Sequence, residues 1–267
     1  VPRPRLLLRG AVELFARTGE EPVHGYELEP CETVTSLLVA GLDALDRLSA
    51  RRPFVAAGTM TSYGEDRTVR GHMYVFDVIE AVPGQGAAPG DALQLRCICR
   101  EEMRAPVTAL SDLNGVLVAA VGQKLLVRSL EFTEWLVTVS FLDVAFYTTS
   151  IQRVKNFLLL TDLHRSAAFV AFQTNPTRLV LLGRDYNTAA LLTGGMLVDR
   201  SRLALVTADM GGCLRLLEYN PSNPTSLGGQ RLLVKTEYHV SSEVAQLLQL
   251  RGPRGARGAW LAAAGVR

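Results

Sequence analysis

A strand–turn–strand pattern that recurs along most of the chain limits its fold more than any other feature. The clearest copy runs from Pro106 to Leu130, PVTALSDLNGVLVAAVGQKLLVRSL. Val107, Ala109 and Val116 to Val121 supply apolar strand positions. Asn114-Gly115 supplies the first turn, because Asn and Gly tolerate the positive φ that a hairpin turn needs. Gly122-Gln123 turns the chain again, Leu125 to Leu130 runs back, and a fourth strand is predicted near Leu136 to Phe141. Four short antiparallel strands in about 40 residues make one propeller blade. The grammar returns at Phe54 to Val78, at Asn156 to Phe172 and at Leu203 to Tyr219 with little residue identity between copies. Apolar runs of this length also suit a two-sheet sandwich.

Spacing these units along the chain predicts an all-β, WD40-like partial β-propeller of about four four-stranded blades in an unclosed ring. Residues 1–31 read as the end of a preceding blade or as edge strands, with strands at Ala11 to Ala16 and Gly25 to Glu29. The four blades occupy residues 32–240. The first has strands at Glu32 to Gly41, Phe54 to Thr59, His72 to Ile79 and Leu93 to Arg100. The others start at Val107, near Phe146 and near Ala189. Val82 to Asp91 is a Pro/Gly-rich loop. In residues 241–267, Val244, Leu247 and Leu248 have helical spacing behind a capping Ser241 or Ser242, so a short helix start is predicted. The Arg/Gly/Ala stretch after it is expected to be disordered. Propellers close with about four to eight blades. The unclosed count and the opening Val1 make the chain an expected piece of a longer protein, and one that folds poorly alone.

Composition excludes several function classes. The chain has 267 residues, 48% of them hydrophobic and 20% charged, which is globular rather than disordered. A formal net charge of +2 is too small to argue for a nucleic-acid partner. No apolar run is long enough for a membrane helix. Cys97 and Cys99 are two apart on a strand-like run, so both side chains are expected on one face. Without a second pair they make a poor zinc signature. Cys31 and Cys213 add no disulfide framework, which favours a reducing compartment.

No catalytic constellation stands out. Gly84, Gly86 and Gly90 lack phosphate-loop spacing. Asp162 with His164, and Asp77 with Glu80, read as turn or strand-end residues rather than acid–base pairs. The four histidines are scattered. No cofactor, metal or small-molecule substrate is expected. Arg51, Arg52, Arg251, Arg254 and Arg257 are weak candidates for phosphate contact, and they read equally as solvated charges.

Three stretches carry a family resemblance. One is Ala56 to Glu80, with Gly58, Gly71, Phe76 and Asp77. The second is Pro106 to Leu125, with Pro106, Asn114, Gly115, Gly122, Gln123 and Lys124. The third is Val154 to Phe157, with Lys155 and Asn156, joined by Gly228-Gly229 and Tyr238-His239-Val240. Over roughly Glu29 to Val240 the chain resembles the C-terminal part of the family of the largest subunit of the cleavage and polyadenylation specificity factor. Relatives of that family are the large subunit of the damaged-DNA-binding complex and a spliceosomal propeller subunit. Departures are His72, where the family pattern has Arg, and Ala105, where it has Gly.

The resemblance implies a non-catalytic nuclear scaffold in pre-mRNA cleavage and polyadenylation. It would dock partner subunits and contact RNA directly or through them. The alternatives it leaves are an adaptor of a cullin ubiquitin ligase, a spliceosomal scaffold, direct nucleic-acid binding, and an enzyme built on a propeller. Apolar patches are expected on the loops of such a platform.

Overall fold

A computed structural model describes residues 9–16, 21–43, 51–65, 67–80, 93–132, 134–199, 202–250 and 259–264. The predicted loop at Val82 to Asp91 lies outside them. The fold is all-β. A two-stranded hairpin, β1 (Arg9–Phe15) with β2 (Pro22–Pro30), precedes four antiparallel four-stranded sheets. The first holds β3 (Glu32–Asp43), β4 (Arg51–Thr61), β5 (Gly71–Glu80) and β6 (Leu93–Met103). Then come β7 (Val107–Leu113), β8 (Val116–Val121), β9 (Lys124–Glu131) and β10 (Trp135–Asp143). The third sheet is β11 (Thr148–Val154), β12 (Phe157–Asp162), β13 (Ser166–Thr174) and β14 (Thr177–Arg184). The fourth is β15 (Leu191–Asp199), β16 (Arg202–Asp209), β17 (Cys213–Glu218) and β18 (Leu233–His239). A last hairpin pairs β19 (Val244–Leu250) with β20 (Ala259–Ala264). Within every sheet each strand pairs with its neighbour in sequence, as in the blades of a partial propeller.

The chain divides into two compact units, Val1–Gly122 with Leu126–Val139, and Gln123–Leu125 with Ser140–Arg267. In the first, Ala40, Phe54, Met73 and Val75 of the first sheet bury themselves against Val107, Leu117, Ala119 and Leu130 of the second. Burying each large apolar side chain contributes about 1.5–3 kcal/mol. A second cluster, with Tyr74, Phe76 and Leu95, is covered by Val12 and Leu28 of the first hairpin. The sheets approach closely at Gly58, where an added Cβ would sit 2.5 Å from a methyl of Val107. Asn114 (φ 47°) and Gly115 (φ 88°) form the predicted turn. Gly115 also accepts the Asp43 N–H at 2.8 Å, which leaves no room for a side chain.

The second unit repeats this plan. Leu159 and Phe169 pack on Leu191, Met196, Leu205 and Leu217. Leu232 closes that cluster because its N–H donates to the Arg184 carbonyl at 2.8 Å. Before it, a 3₁₀ turn at Pro224–Ser226, capped by Asn223, folds the polar loop.

The structure corrects three expectations, two of them through β-bulges. Val244–Leu250 is a strand, not a helix, and Ala259–Ala264, expected in a disordered tail, is its partner. The register slips by one residue between Val244 and Gln246. The slip lets Val244 and Leu247 be buried in one cluster with Ala208, at a spacing that otherwise signals a helix. Likewise, Val75 pairs with Cys99 but Phe76 with Cys97, leaving Ile98 as the extra residue. Cys97 therefore packs on the Tyr74–Phe76 cluster and Cys99 on the cluster of Met73 and Val75, so the two thiols do not share a face.

Burial pushes both thiols up from the ordinary value of 9.0. The negative charge of Glu101 adds to this at Cys99. Because the thiolate is the nucleophile, iodoacetamide at pH 8 is expected to label Cys97 and Cys99 more slowly in the folded protein than in the urea-unfolded chain. Equal rates, read by peptide mass spectrometry, would contradict this. The sign for stability follows. Below pH 9 both states keep the proton, and above it the unfolded chain releases it first, so stability falls as pH rises through the raised values.

Candidate docking site

The sequence-predicted residues take structural positions. Arg51 Nε pairs with Asp43 Oδ1 at 3.1 Å, and Arg52 Nη2 with Asp77 Oδ2 at 3.0 Å. Adjacent in β4, the two arginines point to opposite faces, so they do not converge on one phosphate. Arg251, Arg254 and Arg257 lie outside the described residues. Gly71 sits where a Cβ would be 2.2 Å from the Thr59 carbonyl oxygen. Phe76 stacks on Tyr74 with centroids 5.8 Å apart. The Pro106 carbonyl accepts the Gly122 N–H at 3.2 Å, and the Gln123 carbonyl accepts that of Val144 at 3.0 Å. Lys124 lies 3.8 Å from Asp143 and over the ring of Phe141. Lys155 and Gly228-Gly229 hold positive-φ turn positions. Asn156 accepts the Phe172 N–H at 2.8 Å through its carbonyl.

Sequence reasoning missed a buried carboxylate. Glu32 begins β3 with none of its surface exposed. Its oxygens accept from Thr59 Oγ1, from the Tyr74 hydroxyl at 3.0 Å and from the Glu29 N–H at 3.2 Å, and lie 3.0 Å from His72 Nδ1. Burial, then the charge of Glu32, pushes the Tyr74 hydroxyl far above its ordinary range. Arg100 covers the cluster, bonded to Glu29 and lying over the Tyr74 ring. Glu, His and Tyr can carry acid–base chemistry. Here the carboxylate is fully occupied by groups of β2, β4 and β5, so it braces the sheet. No run of sequence reveals it, because its side-chain partners come from strands 27 to 42 residues away.

The feature that faces outward is β10. It is the edge of its sheet, with β9 on one side and no strand on the other among the described residues. Trp135, Val137 and Val139 alternate along it and are exposed, Trp135 at 65%. Phe132, in the turn before it, is exposed at 70%. Leu136 faces inward and is buried. An antiparallel strand with one wet face normally puts polar residues there, and an open edge is normally blunted by charge or proline. Beneath the strand, buried Arg128 donates to Thr138 Oγ1 at 2.9 Å and to the Leu136 carbonyl at 2.8 Å, and pairs with Glu101. The apolar edge is thereby fixed to the first two sheets. This apolar patch falls on a strand and on the turn before it.

The protein-family model described as "CPSF A subunit region" matches residues 9–258. The chain is 33% identical over 238 residues to "Protein cft1" of Schizosaccharomyces pombe, covering 89% of the chain and 16% of that relative. It is 34% identical to "Protein CFT1" of Yarrowia lipolytica, covering 88% of the chain and 19% of the relative. It is 32% identical to "Cleavage and polyadenylation specificity factor subunit 1" of Drosophila melanogaster, covering 84% and 15%. The chain thus spans less than a fifth of the length of each.

Proposed function

The chain belongs to the CPSF A subunit family, and from that membership we propose that it is part of a nuclear, non-catalytic scaffold subunit of the pre-mRNA cleavage and polyadenylation machinery. The observation that carries the scaffold role is the β10 edge. Its position as the edge strand among the described residues and its exposed Trp135, Val137 and Val139 suit a partner subunit that adds an extended segment to the sheet, the main chain giving affinity and the apolar side chains specificity. Tryptophan is also a residue type in which binding energy concentrates. The partner is a neighbouring subunit of the same complex. The Glu32 cluster is closed to substrate, in keeping with a platform rather than an enzyme.

Affinity purification of the tagged full-length protein tests this. The wild type is expected to recover other polyadenylation-factor subunits. Trp135→Ser with Val137→Ser is expected to lower recovery of at least one of them about tenfold or more, as loss of one interfacial hot spot would do. Both side chains are exposed, so the double variant should keep its stability within about 0.5 kcal/mol per site. Recovery of a cullin, or of spliceosomal proteins alone, would move the protein to another branch of the superfamily.

A further inference from the structure

The second unit has a pocket of about 130 Å³ beside the start of β13 and the end of β14. Leu160, Val170 and Leu181 form apolar walls. A cavity of about 150 Å³ with such walls holds one benzene-sized ring. Buried Asp185 also lines the pocket. Its carboxylate accepts from Ser166 Oγ at 2.6 Å and from the Asn187 N–H at 3.1 Å. An ionised carboxylate has about four acceptor positions, so it can take a further donor. Asp162, another lining carboxylate, is filled by four backbone N–H groups. The pocket therefore offers an incoming ring apolar contact and an acceptor for one donor.

The mouth is cationic. Exposed Arg165 and Arg184 line it. Exposed Arg231 is bridged to Arg184 through the backbone and lines a neighbouring depression that shares Asn187 with the pocket. The surface thus continues from the pocket towards a third arginine. None of the three has an ion pair among the described residues, whereas Arg51 and Arg52 are each held by a carboxylate. Asp143, also on the rim, lies 3.8 Å from Lys124.

We propose that this face docks an acidic, tyrosine-bearing segment of a protein partner. The phenol ring enters the pocket and donates its hydroxyl proton to Asp185, and flanking carboxylates meet Arg165, Arg184 and Arg231. The site is separate from the β10 edge, since Trp135, Val137 and Val139 belong to the first unit and every residue named here to the second. Three observations select this occupant. The space suits a single six-membered ring. The acceptor wall wants a donor, and a phenol brings one O–H on an otherwise apolar ring. The unpaired guanidinium groups outside want carboxylates, which they bind in charge-assisted pairs. A nucleobase fits the same volume less well, because its edge carries acceptors as well as donors. Those acceptors would face apolar walls or the oxygens of Asp185, each at a cost of about tenfold in affinity. Phosphate on the tyrosine would bring a dianion against Asp185 and Asp162, so phosphorylation releases the segment.

The test uses the full-length protein in the complex it purifies with. Its probe is a fluorescent synthetic peptide with one tyrosine between short runs of glutamate, followed by anisotropy. Phenylalanine in place of that tyrosine should weaken binding about tenfold or more, because Asp185 then loses water and gains no donor. Phosphotyrosine should weaken it at least as much, and lysine in place of the glutamates should abolish it. These changes lie in the probe, so the fold of the protein is untouched. In the protein, Arg165→Ala with Arg184→Ala should weaken binding about fivefold or more. Arg51→Ala with Arg52→Ala, which removes the same charge elsewhere, should leave it unchanged. Equal affinity for the tyrosine and phenylalanine peptides, or an unaffected Arg165/Arg184 variant, overturns the proposal. Tighter binding of the phosphotyrosine peptide also overturns it, making the face a phosphate site. So does displacement of the probe by short single-stranded RNA at lower concentration than by unlabelled peptide, which would make the face a nucleic-acid contact. The scaffold reading fails by a different result, the absence of polyadenylation-factor subunits from the purified complex, which leaves peptide binding as it is.

Discussion

Replacing Glu32 with alanine is expected to destabilise the first unit by about 3–5 kcal/mol, the range seen when one partner of a buried polar or ionic contact is removed. The carboxylate is fully buried and accepts from Thr59, Tyr74 and the Glu29 backbone beside His72. Alanine leaves these donors facing a void, and each unsatisfied buried donor costs about 1–3 kcal/mol. The total stays below the simple sum because His72 is partly exposed and can turn to water. The Thr59 hydroxyl also accepts the His72 N–H at 2.9 Å, so the loss propagates into the β4–β5 pairing. Amide hydrogen exchange over β3, β4 and β5 in the full-length protein should quicken by about two to three and a half orders of magnitude, tenfold per 1.4 kcal/mol. Glu32→Gln keeps the volume but turns an amide N–H₂ toward groups that themselves donate. It should cost about 1–3 kcal/mol. Exchange unchanged in the alanine variant would show that the cluster is not a brace.

Asp162→Ala should cost the second unit about 3–4 kcal/mol. Asp162 Oδ2 accepts the Phe146 and Tyr147 N–H groups at 2.9 and 2.8 Å, and Oδ1 those of His164 and Arg165 at 2.8 and 2.9 Å. Hydrogen bonds to a charged acceptor contribute about 1.5–3 kcal/mol each, and water can replace some of them because the His164 and Arg165 side chains lie at the surface. One residue thus fastens the approach to β11 and the β12–β13 turn. Asn can satisfy only one of the two pairs and should lie between wild type and Ala. Exchange at residues 146–147 and 164–165 should quicken together. Quickening at one segment alone would mean that the two are held independently.

The strands were legible because their punctuation is local. Asn114-Gly115 and Gly122 announce turns whose positive φ the structure retains. Alternation and apolar runs supply the elements between them. What resisted reading was non-local or broke the period. A bulge at Ile98 reverses the facing of Cys97 against Cys99, and another gives β19 a helix-like spacing. Nothing in the neighbouring residues encodes either, since a bulge depends on the opposing strand. Glu32 looks like a surface acid in one dimension and becomes a buried acceptor only when distant strands assemble, whereas Asp162 reads as the turn residue that it is. Arg51-Arg52 is conspicuous as a doublet, and the carboxylates that hold it, Asp43 and Asp77, come from the strands on either side. The apolar edge at β10 was visible as Trp-x-Val-x-Val, but its exposure follows from being last in its sheet.

That consecutive strands pair within each sheet bears on how the molecule assembles. Every ladder closes only the short link between consecutive strands, so the entropy lost at each pairing step is small. Long-range pairing is what slows most all-β proteins, and among the described residues it is absent from the ladders. The slow event is then the docking of one completed sheet on the next, through contacts such as Gly58 against Val107. During synthesis a sheet can form as soon as its fourth strand leaves the ribosome. It then waits, apolar face uncovered, for its successor, and this interval is when a chaperone has most to do.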